Sequence, residues 1–178
     1  MGKKVIRVNL FKDGVNGIDG AIYDLIVYKR EFLKKVETYR KRMADELANI
    51  ASLNFGSATM EHTVRGVTRK PNVKVSVSER GSISVVVADG EDAVWCEFGA
   101  GVYYNGSVGS SPNPYGKDLG FTIGSYGKGY GKGKAWGYYD ETGELVITRG
   151  TPATMPMYNA AREITRKAIS IAREVFGT

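Results

Sequence analysis

The spacing of hydrophobic and polar positions changes several times along this chain. Val5 to Leu10 alternates, with Val5, Arg7 and Asn9 set against Ile6, Val8 and Leu10. That is the two-residue period of a short strand. The pairs Asp13-Gly14 and Asn16-Gly17 are turn signals that end it. From Ile18 to about Leu53 the apolar residues instead fall three and four apart, at Ile22, Leu25, Phe32, Val36, Tyr39, Met43, Leu47 and Ile50. One gap of seven interrupts the series, with Lys29 standing where an apolar residue is due. The spacing predicts an amphipathic helix over 18–53, either continuous or in two pieces meeting near Lys29. Asp19 is its expected N-cap, and Asn54, Phe55 and Gly56 its expected stop. Glu31 with Lys35, and Glu37 with Lys41, are placed for ion pairs one turn apart.

Beyond the helix, Ser57 to Pro71 is polar and shows no period. Val73 to Ser78 alternates strictly, Glu79-Arg80-Gly81 reads as a turn, and Ser82 to Ala88 as a more buried strand. Ala93 to Phe98 completes this 73–98 unit as a short apolar element whose type the pattern leaves open. Residues 99–133 form a loop holding 11 glycines, 5 tyrosines and a single acid, Asp118. Loops of such length inside a compact domain are uncommon, and are either functional or disordered. A second hairpin covers 135–148, turning at Glu141-Thr142-Gly143, and a closing helix covers 156–176. That helix carries the stripe Met157, Ala160, Ile164, Ala168, Ile171 and Val175, with Pro156 in its first turn, where proline is tolerated. There are no internal repeats. The expectation is one α+β domain over 1–178. A long N-terminal amphipathic helix and a C-terminal helix pack on an antiparallel sheet of hairpins, beside a long Gly/Tyr-rich loop.

Length sharpens this picture. A continuous helix over residues 19–53 would be roughly 50 Å long at 1.5 Å per residue. A compact domain of this size is only about 40 Å across. Such a helix must bend or overhang, and an overhanging amphipathic helix commonly packs on a neighbouring subunit.

Composition excludes several classes of function. Hydrophobic residues at 42% and charged residues at 25% suit a soluble globular protein. No apolar run approaches the ~20 residues that cross a bilayer, so no membrane partner is expected. The first residues lack an apolar core of signal-peptide length, and export by that route is not expected. The single cysteine, Cys96, excludes an internal disulfide and fits folding in a reducing cytoplasm.

Candidate chemistry is sparse. The stretch from Gly124 to Lys134 is glycine-rich, but no Ser or Thr follows a Gly-Lys pair and a strand follows it, so it is no phosphate-binding loop. His62 and Cys96, one of each and far apart, make no metal set. Cys96 lies between Trp95 and Glu97 in an apolar element, as a buried small hydrophobe does. No nucleophile elbow is present and nothing marks a particular pair of carboxylates. The expectation is no enzyme, no cofactor and no metal, with a wall hydrolase resting only on the unassigned loop.

The net charge of +6 introduces a nucleic-acid reading. Lys29 to Arg42 holds seven basic residues and two acidic ones. It would face DNA, an acidic partner or solvent. The tyrosines and lysines of the loop, Tyr103, Tyr104, Tyr115, Tyr126, Lys128, Tyr130 and Lys132, suit either stacking on single-stranded nucleic acid or anchoring a subunit interface.

An ordered set of motifs occupies the second half. Trp95-Cys96-Glu97-Phe98-Gly99-Ala100-Gly101 comes first, followed by the glycine-rich stretch and the aromatic strand Ala135-Trp136-Gly137-Tyr138-Tyr139. Thr148-Arg149-Gly150-Thr151-Pro152-Ala153 and Met155-Pro156-Met157-Tyr158-Asn159-Ala160 then lead into the last helix. Together with the basic helix before it, this combination resembles the tail-component family of long-tailed phages, the neck and tail-completion proteins, over roughly residues 18 to 176. That family carries a Glu-aromatic-Gly-Thr element after a hairpin and a Gly-x-Pro-Ala…Pro-aromatic-x-x-Ala element opening its last helix. Ala100 replaces the usual Thr here, and Met157 a frequent Phe. The resemblance implies an α+β fold, no catalytic residues, and a place in the virion at the head–tail junction. It also implies self-association into a ring, often sixfold, beside other neck and tail proteins. Glu97, Phe98, Gly99, Gly101, Gly150, Pro152 and Pro156 are then expected to define the fold. Gly99 and Gly101 would allow positive φ, and the two prolines would fix the approach to the last helix. The seven loop tyrosines and lysines are expected at the subunit interface.

Overall fold

The structure, a computed structural model, describes residues 17–60, 63, 66, 68–99, 111–116, 118–119 and 136–177. The expected strand at Val5 to Leu10, and Gly101 with most of the glycine-rich loop, lie outside them. In chain order the elements are α1 (Ile18–Ser57), β1 (Lys74–Arg80), β2 (Ile83–Asp89), α2 (Asp92–Phe98), β3 (Trp136–Tyr139), β4 (Leu145–Thr148) and α3 (Pro156–Phe176). The α+β class is as expected. The hairpins do not merge into one sheet: β1–β2 and β3–β4 are two separate antiparallel pairs.

α1 is one unbroken helix of 40 residues. Lys29 interrupts its stripe without interrupting its backbone. Gly17, not Asp19, occupies the N-cap, in extended conformation and without a side-chain capping bond. Asp19 sits inside the first turn, where its charge still meets the positive end of the helix dipole. The helix also passes the expected stop and ends at Ser57. Phe55 is buried in the core, and the Asn54 amide donates to Pro156 O at 3.0 Å rather than capping the helix.

α3 runs antiparallel to α1, since Asn54 meets Pro156 at one end and Phe32 meets Phe176 at the other. The Phe176 ring lies 5.9 Å from both Phe32 and Tyr39. Lys167 Nζ reaches Glu46 at 2.7 Å, and Arg42 pairs with Glu174. In the middle of the seam Ala51 and Ala160, both 0% exposed, pack with Ile50, Leu47 and Met157. Two alanines allow the helix backbones to approach closely, and dense packing leaves no room for larger side chains.

β1 pairs with β2 from Lys74↔Asp89 to Arg80↔Ile83. The face carrying Val75 and Ala88 closes a second core cluster with Phe55, Ala58, Met60 and Cys96. At the hairpin tip Arg40 of α1 pairs with Glu79 and donates to Ser84 Oγ at 2.6 Å. α3 therefore ends beside Phe32, and the β1–β2 tip lies beside Arg40. The 14 residues of α1 before Phe32 run on by roughly 20 Å.

Ala160→Leu tests the helix seam. Forcing a larger side chain into it is expected to destabilise the protein by about 1–3 kcal/mol in urea unfolding, because neither helix can retreat without opening the core.

Candidate functional site

The motifs separated in sequence meet around α2. Its start is set by Gly90, at φ +138, where a side-chain Cβ would lie 2.3 Å from Asn72 O. Asp92 then accepts both Arg69 guanidinium nitrogens, at 2.7 and 2.9 Å, and the Asn72 N–H at 2.8 Å. Burial pushes the Asp92 carboxyl upward, but the Arg69 and Asn72 bonds and the Arg69 charge outweigh it and hold the group below its ordinary value. This ties the segment after α1 to α2.

The end of α2 is built against the start of α3. Gly99 takes φ +79, and a Cβ there would sit 3.0 Å from Ala153 N. That close approach lets Cys96 O accept the Thr154 and Met155 N–H groups at 2.9 and 3.2 Å. Met155, the N-cap of α3, is left-handed at φ 51 and supplies no side-chain cap. Glu97 supplies it from another element. Its Oε2 accepts the Met157 N–H at 2.8 Å, and its Oε1 accepts the Tyr158 N–H at 3.0 Å. Pro156, buried at the head of the helix, has no N–H to satisfy.

The Glu97 Oε1 also accepts Asn113 Nδ2 at 2.8 Å, and Ser111 Oγ donates to Phe98 O at 2.5 Å. The described part of the glycine-rich stretch is thereby tied to the same point. Of the expected fold-defining residues, Glu97, Phe98, Gly99 and Pro156 lie at this junction. Gly150 adds a positive φ of 102, with its N–H bonded to Thr148 Oγ1 at 2.9 Å. Pro152 lies in the segment leading to α3, and Gly101 is outside the described residues. Asn113, Ser111, Arg69 and Asp92 were not singled out from the sequence. Each acts across at least 13 positions, and no local period marks such partners.

Burial raises the Glu97 carboxyl above its ordinary value, and the three donated bonds hold back part of that rise. Burial and the neighbouring Asp92 charge push the Cys96 thiol up to about 11. At pH 7 the thiol is neutral, fully buried, and 3.8 Å from Met60 Sδ. The junction holds helix ends in place. It offers neither a free base nor a thiolate.

Among the described residues two apolar surfaces are exposed. On α1, Ile18, Ile22, Leu25, Ile26, Leu33 and Val36 are exposed, Leu25 and Leu33 each by 54%. At 100° per residue they fall on the face that, further along, buries Ala44 and Ala51 and half-buries Leu47. It is one stripe, covered by α3 and β1–β2 in its second half only. The second surface is the outer face of β3–β4, where Gly137 pairs with Ile147 and Tyr139 with Leu145. Tyr139 is 73% exposed, and Leu145 and Ile147 are exposed beside it. A Cβ on Gly137 would lie 2.9 Å from Ile147 Cδ1 and 3.2 Å from Leu145 Cδ1. The missing side chain leaves room for both to lie over β3, and they form one apolar pad with Tyr139. The solvent face of an antiparallel hairpin is ordinarily polar, and this one is not.

Of the loop residues expected at an interface, Tyr115 is exposed and sets its ring edge-on to Tyr158, with centroids 6.1 Å apart. Tyr103, Tyr104, Tyr126, Lys128, Tyr130 and Lys132 lie outside the described residues, as does His62. In the basic run, Lys41 pairs with Glu37 at 2.7 Å, and Arg40 and Arg42 hold Glu79 and Glu174. Arg40, Lys41 and Arg42 are therefore engaged within the fold. Among the described residues no helix is long and apolar enough to cross a membrane, and no group of acids, His and Cys is placed to hold a metal. Comparison of the chain with family models, curated proteins and solved structures returned no match.

Glu97→Ala is expected to cost about 2 kcal/mol in chemical unfolding, since it strands two helix N–H groups and Asn113. The sign of the pH effect follows from the raised Glu97 value. The part of its contribution that depends on protonation is complete below the unfolded pKa, near 4.3, and is lost as pH rises through the folded one, while the three donated bonds remain. Wild-type stability relative to Glu97→Gln should therefore fall between about pH 4 and the raised value. For Cys96, thiol reagents at pH 7.5 should label the native protein only at its opening rate, and the urea-unfolded protein at once.

Proposed function

We propose that this chain is a structural virion protein of a long-tailed phage or prophage, acting at the neck in tail completion or head–tail joining as one subunit of a ring. The observation that carries the reading is the half-covered stripe of α1. An apolar face that continues a core seam and then lies open is the mark of a surface completed by another chain. The family resemblance supplies the setting, through Glu97–Gly99 and Gly150–Ala160. These motif residues act at the α2–α3 junction and are used in holding the fold.

The chemistry supports a non-catalytic role. Both Glu97 oxygens are occupied by donors, and Cys96 is neutral and inaccessible. The groove along the α1–α3 seam is lined by Arg42, Asp45, Glu46, Lys167 and Glu174, and both of its cations are paired across the seam, Arg42 with Glu174 and Lys167 with Glu46.

Quantitative mass spectrometry of purified particles is the test. The protein should be present at a small fixed copy number that matches a ring, and particles made without it should show unjoined heads and tails. Absence from the particles would overturn the reading. A salt-dependent mobility shift with DNA, from a chain absent from particles, would favour nucleic-acid binding instead.

A further inference from the structure

The two exposed apolar surfaces differ in the charge around them. The α1 face carries Lys29 at its centre, with Arg30 and Lys34 on its flank. The β3–β4 pad ends at the turn holding Asp140, Glu141 and Glu144. Asp140 is held below its ordinary value by bonds from Thr142 and Glu144, so its charge is kept. Glu141 and Glu144 are exposed beside it.

We propose that the open face of α1 in one copy seats on the β3–β4 pad of a second copy, head to tail, with the basic helix flank against the acidic turn. The contact deepens the ring reading above and rests on it. A helix laid on a sheet face is an ordinary two-layer arrangement. The half-exposed apolar side chains of α1 offer roughly 600 Å² and the three of the pad less, which puts the contact at the small end of specific interfaces, below the ~800 Å² per partner of a standard one. Opposite charges around the apolar centre set the orientation.

Pairing two α1 faces is the obvious rival, and charge weighs against it. Lys29 lies at the centre of the open face, between Leu25 and Leu33, while the nearest acids of the helix, Asp19 and Glu37, lie at the edge of that face. A helix-to-helix contact would bury Lys29 from each copy without a partner. Seating on the pad instead brings it toward the turn carboxylates. Because donor and acceptor are different surfaces, each copy has one of each, and the contact propagates beyond the dimer, closing into a ring where its rotation allows.

Two single substitutions test this in the full-length protein. Leu25→Glu breaks the helix face and Leu145→Glu breaks the pad. Both residues are exposed, so circular dichroism should show an intact fold. In sedimentation velocity the wild-type chain is expected to assemble beyond the dimer, and each variant alone to be monomeric. An equimolar mixture should form a 1:1 complex and stop there, because it retains a single intact contact. If Leu145→Glu alone assembles like wild type, the pad is not the acceptor. The proposal then fails while the ring reading stands. If the mixture stays monomeric, the head-to-tail contact is overturned. A wild-type chain that is monomeric at its highest soluble concentration, yet present in particles, also overturns self-seating and leaves only the virion assignment.

Discussion

The buried carboxylate of Glu97 is the interaction on which the second half of the fold depends. α3 begins at a left-handed Met155 that offers no cap, and a helix that starts inside a protein must have its first N–H groups satisfied. Glu97 provides this from α2, and the same side chain accepts Asn113 from the glycine-rich stretch. One residue thus fixes where α3 starts, how α2 lies against it and where the loop is anchored. Gly99 makes the arrangement sterically possible, since any side chain there would meet Ala153. With its start fixed, α3 lies along α1 as far as Phe32 and no further.

The end of α3 at Phe32 and that of the β1–β2 tip at Arg40 together leave the stripe of α1 exposed from Ile18 to Val36. The stripe of the long helix does not change character along this stretch. Only its cover stops. A chain that fixes its second helix so firmly and leaves the first half of its longest helix open has a surface suited to association. The β3–β4 pad completes the pattern, because an apolar outer face on a two-stranded hairpin is marginal when left in water.

Much of this was legible in the residues. The three-and-four spacing placed α1 and α3, strict alternation placed β1, and the turn at Thr142-Gly143 placed the second hairpin. Local rules failed where tertiary partners decide. Asp19 reads as a cap but Gly17 takes that place, and Asn54 reads as a stop although its amide is used on Pro156. α2, at seven residues, is too short for periodicity to separate helix from strand. Glu97 and Pro156 were expected to define the fold, yet their bonding could not be read: Glu97 reaches residues 16, 60 and 61 positions away. The open half of α1 was foreseeable from length alone, and the pad was not, because alternation does not say which face of a hairpin meets the body.

The most direct test of the central claim, that the first half of α1 is completed by another chain, is hydrogen–deuterium exchange followed over a range of protein concentrations. The amides of residues 18–31 should exchange quickly in dilute solution and become protected as concentration rises, while those of Ala44 to Phe55 stay protected throughout. Protection of 18–31 that does not change with concentration would contradict the account.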